Sequence, residues 1–289
     1  MTKPGLQAFL LGLTAAFFSG THSVIVRHLT EHLHGSVVAV LRLYVASIAL
    51  FLILKMYRKP LQIDWANRAL IVTVLAFSVN FVVFHWGLEY TGAASSMVLE
   101  NTAPIFVLIF SALVLRAPIR PVEVAATFLA VFGVYFTVRG DFVLGPSGIL
   151  GDELELVAGL TWAIFLMAST QFVSGTSTTF ERLTFLFAVL SLSSLVLTPF
   201  LLAFPPGLTG WDIVLLLLLG IFPTAIAYYL WYETAARVSA MTTSLLFTLT
   251  VVFTFMNAAI FLGESITANV LIGGALIVTS VLLSKKRSG

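Results

Sequence analysis

The sequence contains no cysteine. Disulfides, thiolate metal ligands and cysteine nucleophiles are therefore excluded, while the redox compartment stays open. Charge is also scarce: 10% of the 289 residues are Asp, Glu, Lys or Arg, against about 25% in an ordinary soluble domain. Signatures of several chemistries are missing as well. Without GxxxxGK[ST] there is no phosphate loop for direct ATP drive, and neither HExxH nor GxSxG occurs. No aspartate-rich pair marks a magnesium-diphosphate enzyme, and no lysine stands in a late apolar run for a Schiff base. No cofactor or resident metal is expected. No loop is long enough for a separate soluble domain.

What is present is apolar. Hydrophobic residues make up 59% of the chain, the mean hydropathy is +1.05, and the apolar residues fall in blocks of about 18–25, each able to cross a hydrocarbon core. The composition predicts an all-α integral membrane protein of ten transmembrane helices, over 8–26, 35–56, 69–88, 94–115, 121–138, 149–172, 178–203, 211–232, 239–262 and 267–284. The first run follows Lys3 without a convincing cleavage site and reads as a retained span. A pI near 9.0 raises nucleic acid as a partner, but the basic residues sit in short turns between spans, where membrane topology accounts for them.

Those turns orient the chain. With the N-terminus in the cytoplasm, the inner set is Lys3, Lys55, Arg58, Lys59, Arg68, Arg116, Arg120, Arg182, Arg237, Lys285, Lys286 and Arg287. Only Arg27 and Arg139 fall outside, and Arg42 lies within the second span. Twelve against two places both termini in the cytoplasm.

A shift of 147 residues, about half the chain, lays Ala93 on Ala240, Leu99 on Leu246, Phe106 on Phe253, Leu115 on Leu262 and Ile119 on Ile266. Over 88–134 only nine of 47 positions are identical, so the order of turns and spans carries the argument rather than identity. Units of five spans, 1–143 and 144–289, would cross the bilayer in opposite senses, an inverted repeat.

The run GLEYTGAASSMVLENTAPIFVLIFSALVLRAPI, the later FLAVFGVYF, and SAMTTSLLFTLTVVFTFMNAAIFLGESI in the second half resemble the EamA-like ten-span members of the drug/metabolite transporter superfamily. Leu41-Arg42 fits that family's arginine early in span two. The family's glutamate at the end of spans four and nine is matched by Glu264 but not by Arg116-Ala117, and Pro104 has Val251 as its counterpart. The resemblance implies a proton-driven or gradient-driven carrier, often an exporter of amino acids or related metabolites, placed in the cytoplasmic (inner) membrane of a bacterium.

Several residues could carry the chemistry. Glu100 and Asn101 lie about six residues into span four, some 9 Å along a helix, where an ionisable group needs a cavity, a partner or water. Glu100 is a candidate for substrate contact or proton carriage, and equally for a structural tie. Arg42 is a candidate ion-pair partner, or a snorkelling side chain. Pro104 frees the Glu100 carbonyl, and Pro223 poses the same question in span eight. Asn80 and His85 are candidate substrate ligands or interhelical ties. Trp162, Tyr228 and Tyr229 form a candidate aromatic wall, or face lipid. His28 and His32 have the spacing of a metal pair, without further ligands.

The expected function is a secondary transporter of a small polar metabolite, an amino acid or relative, with the lipid bilayer as its medium. The alternative is an intramembrane enzyme acting on a lipid or isoprenoid, with Glu100 and His85 as acid and base. Gly273-Gly274 suits packing within or between chains, so the oligomeric state is open, a monomer included.

Overall fold

The structure, a computed structural model, describes residues 3–31, 33–91, 93–139, 149–175, 178–203 and 207–285. Among them there is no strand. The first half runs α1 (Lys3–Gly20), α2 (His22–Leu29), α3 (Gly35–Met56), α4 (Arg68–Tyr90), α5 (Ala93–Glu100), α6 (Ala103–Leu113) and α7 (Pro121–Thr137). The second runs α8 (Ile149–Gly175), α9 (Thr179–Leu197), α10 (Gly210–Gly220), α11 (Ala227–Ala235), α12 (Ala240–Phe247), α13 (Leu249–Leu262) and α14 (Ala268–Lys285). A helix closes its own backbone hydrogen bonds, which hydrocarbon requires.

Seven segments of the described residues are long and apolar enough to cross a membrane, and three shorter apolar helices, Arg68–Phe84, Pro121–Thr137 and Ala268–Ser284, accompany them. Large apolar side chains such as Ile48, Leu52, Leu75, Leu113, Phe261 and Leu271 point outward, as expected of a protein bathed in lipid. This is an all-helical membrane protein.

Polar caps set the turns. Asn67 Oδ1 accepts from the amides of Ala69 and Leu70, and Thr178 with Glu181, and Thr209 with Asp212, form reciprocal capping boxes that begin α9 and α10. At helix ends, Gly263 has φ 69° and Arg116 φ 50°, two left-handed residues 147 apart.

Three spans expected to be continuous are interrupted. The first bends at Thr21, between α1 and α2. The fourth breaks between α5 and α6, where Pro104 stands in the first turn of α6. The ninth breaks between α12 and α13 without proline; there the Thr248 hydroxyl bonds to the Leu245 carbonyl at 2.7 Å, a local competitor for the helical ladder. Helices α5 and α12 begin and end 147 residues apart. In the eighth span, Ile221–Ile226 is a π-helical turn around Pro223, with the Thr224 hydroxyl on the Leu219 carbonyl.

Packing follows the same shift. Helix α4 packs along α8 and α1 along α11; α10 packs on α3 and α9 on α4; α3 meets α9, and α7 meets α14. Close crossings rest on glycine. A Cβ on Gly273 would come 2.4 Å from the Gly133 carbonyl oxygen, so Gly273 serves packing within the chain, α14 against α7. Gly220 lies against Val45 and the Arg42 carbonyl in the same way.

Candidate functional site

The break after α5 exposes a short stretch of polar backbone in an apolar bundle. Its ends are stitched locally: Asn101 Nδ2 donates to the Met97 carbonyl at 2.8 Å, and the Thr102 hydroxyl to the Leu99 carbonyl at 2.6 Å. Pro104 has no N–H to give, so the Glu100 carbonyl loses its helical donor. Glu100 itself stands at the break. Arg42, from α3, and Tyr228, at the start of α11 beyond the π turn, lie within electrostatic reach of Glu100 and of one another. Among the described residues no ion pair or hydrogen bond joins these three side chains, and the buried Nε of Arg42 has no acceptor.

Tyr228 also borders an aromatic slot. Trp162 of α8 stacks on Phe165 at 4.8 Å between ring centroids and meets Phe247 at 4.9 Å and Tyr228 edge-on at 6.3 Å. Trp231 closes the Phe247 side, and its indole N–H donates to Ser19 of α1. Between these rings is a cavity of about 10 Å³, bordered also by Thr170, Tyr232 and Thr243, which is room for roughly one water. The N–H of Trp162, the hydroxyl of Tyr232 and the hydroxyl of Thr170 are buried there without partners. Buried polar atoms are ordinarily bonded, and these three around one slot are not.

The structure thus brings Arg42, Glu100, Trp162 and Tyr228 together. It places Asn80 elsewhere: its amide donates to the Ala158 carbonyl at 2.8 Å, tying α4 to α8. Asn101, in the turn after α5, is buried and bonded back to the Met97 carbonyl of α5. The side chain of His85 lies outside the described residues, as does His32; His28 is exposed, and no metal-competent cluster occurs among the described residues. Glu264 forms an exposed ion pair with Arg27.

Two features were not legible in the sequence. Glu155, in the acidic start of α8, is fully buried with neither carboxyl oxygen hydrogen-bonded. Near the other end of α8, Glu233 of α11 is held by Arg182 of α9, at 2.6 Å from Nε and 3.2 Å from an Nη, and by Arg237 at 2.6 Å. The spacing of Glu233 and Arg237, four apart at the end of an apolar run, was the available signal; the partner on α9 was not foreseeable.

Interrupted apolar helices thus set Arg42 and Glu100 beside an aromatic slot, and similarity to known proteins makes this a membrane transporter. The EamA-like transporter family model matches residues 6–139 and again 149–285, and the chain belongs to that family. An uncharacterized transporter of Archaeoglobus fulgidus is 26% identical over 279 residues, 95% of this chain and 96% of that protein. The uncharacterized inner membrane transporter YhbE of Escherichia coli is 25% identical over 262 residues, 85% of this chain and 78% of that protein. A solved crystal structure matches the fold with a TM-score of 0.79 at 20% identity, covering 96% of each chain.

Proposed function

We propose that the chain is a secondary transporter that exports small zwitterionic metabolites, amino acids foremost, by alternating access. The observation that carries this reading is the unbridged pair of Arg42 and Glu100 joined through Tyr228 to an aromatic slot. A zwitterion supplies a carboxylate for the Arg42 guanidinium, whose planar donor fork suits it, and an ammonium for Glu100. Its side chain then lies against Trp162, Phe165, Tyr228 and Phe247. A cavity of about 10 Å³ admits no amino acid, so loading requires the helices around it to part, as alternating access demands.

The scaffold we infer is ten spans in two inverted units, 1–143 and 144–289. The coincident limits of α5 and α12, the exchange of packing partners under the 147-residue shift and the two family matches support it. The bias of basic residues supports an inner-membrane orientation with both termini in the cytoplasm. The Arg182–Glu233–Arg237 cluster then lies on the cytoplasmic side, and the Asp152 end of α8 outside.

The test is counterflow of a labelled amino-acid panel in proteoliposomes, with and without a pH gradient. Saturable exchange of at least one amino acid, lost in Arg42→Ala and in Glu100→Gln, is the expected result. Wild-type protein that moves none of the panel refutes the reading.

A further inference from the structure

Glu155 occupies an unusual position. Its carboxyl group is seated on the α4 backbone: a Cβ placed on Gly87 would lie 2.5 Å from Oε1. Toward the end of α8, a Cβ on Gly151 would come 2.7 Å from the Thr91 amide nitrogen, and the Thr91 hydroxyl donates to Asp152 at 2.7 Å. In the other direction, Gly159 abuts the Thr102 hydroxyl and the Glu100 carbonyl. The group is therefore sealed on both sides by close α4–α8 and α5–α8 contacts. Ser96 of α5, itself 1% exposed, lies beside it with its hydroxyl toward the carboxyl group.

The charged groups acting on Glu155 are Glu100 of α5 and Asp152 of its own helix, both acidic. Of the other helices packed on α8, α6 and α12 carry no titratable side chain, and α11 offers Tyr228, Tyr229, Tyr232 and Glu233 farther along it. On α4, Tyr90 is exposed, and the side chains of His85 and Glu89 lie outside the described residues. Glu100 differs from Glu155 in one decisive respect: the field of Arg42 acts on it. An ionised carboxylate sealed from water, with no cation and only the Ser96 hydroxyl beside it among the described residues, is strongly disfavoured, and proton uptake removes that cost.

We propose that Glu155 is a proton-binding site of this carrier, neutral while α4 and α8 are closed over it and opened to the Asp152 side when they part. The proposal rests on the transport reading for its role in the cycle, though not for the site itself. Separation of α4 from α8 would lift Gly87 off the carboxyl group, admit water and let the proton exchange. Closure around a charged carboxylate would be resisted.

The experiment is a pH series of infrared difference spectra on the full chain in lipid nanodiscs, read at the C=O stretch of a protonated carboxylic acid. The wild-type chain should show such a band near neutral pH that bleaches as pH rises. Glu155→Gln should remove it and Glu100→Gln should leave it. Persistence of the band in Glu155→Gln, or its loss in Glu100→Gln, overturns the assignment. Should Glu155→Gln fail to fold, Glu155→Asp must shift the band, and an unshifted band also overturns it. In proteoliposomes, a pH gradient of one unit sustains about tenfold accumulation by one-for-one exchange, and Glu155→Gln should reduce the labelled amino-acid pool to about onefold. Retention of the gradient response overturns the coupling role. Wild-type chains that show the Glu155 band but transport nothing refute the transport reading and leave the proton site standing.

Discussion

Replacing Glu233 with alanine should cost more stability than any other single change at the Arg182–Glu233–Arg237 cluster. Glu233 accepts three charge-assisted hydrogen bonds through its carboxylate, and its side chain is 6% exposed. Arg182 is 8% exposed, whereas Arg237 retains 25%. Removing the anion takes the carboxylate from two cations, of which only Arg237 reaches water readily. Loss of one partner from a buried pair costs about 3–5 kcal/mol, and nearly all of it falls on Arg182. Arg182→Ala leaves Glu233 paired with Arg237 and should cost less, about 2 kcal/mol. Arg237→Ala, at a partly solvated position, should cost about 1 kcal/mol or less. Replacing Glu233 and Arg182 together by leucine should recover most of the loss, because no buried charge is then left unpaired. Reversible unfolding in mixed micelles by SDS titration gives the four values. If Arg237→Ala proved as damaging as Glu233→Ala, or the leucine pair no better than Glu233→Ala, the cluster would not be the buried, Arg182-centred contact argued from its geometry.

Gly273→Ala should destabilise by about 1–3 kcal/mol, since the added carbon meets the Gly133 carbonyl at 2.4 Å and backbone cannot yield. Gly274→Ala meets only the Val252 methyls at 3.9 Å and should be neutral or stabilising by up to about 1 kcal/mol; the same unfolding assay separates them, and equal effects would refute the crossing geometry. Arg116→Gly should stabilise by about 1 kcal/mol because φ is 50° there, while Gly263→Ala, at φ 69°, should lose a similar amount. Trp162→Phe removes an unpartnered buried N–H, so thermal stability should hold within about 1 kcal/mol while counterflow falls. A thermal loss of several kcal/mol with full transport would remove Trp162 from the substrate slot.

Much of the fold was legible because hydrocarbon leaves few choices. Every expected span overlaps a helix, and the ends near Met56, Leu262 and Ala268 agree within a residue or two. The breaks were only half visible. Pro104 announced the one after Glu100, but nothing as strong marked Thr248, where a hydroxyl rather than a missing N–H interrupts the ladder. Among the candidate residues, Arg42, Glu100, Trp162 and Tyr228 converge, although they come from four helices with no shared sequence spacing. Asn80 is polar inside a span, and it spends that polarity on the Ala158 carbonyl.

Glu155 shows where sequence reading stops. Beside Asp152 and Glu153 it looks like part of a wet helix start, and Glu153 is indeed exposed. What buries Glu155 is the azimuth of α8 against α4 and α5, fixed by the small residues Gly87 and Gly151 at the first contact and Gly159 at the second. In helices apolar all around, no hydrophobic stripe tells which face turns inward, so azimuth is not written in local composition. By itself the sequence determined that the chain is a multi-pass helical membrane protein and which turns carry the basic charge, because desolvated backbone and exposed charge are penalised residue by residue. Only tertiary packing decided which carboxylate lies near Arg42 and which is buried with no cation beside it among the described residues, because that depends on how four separate helices meet.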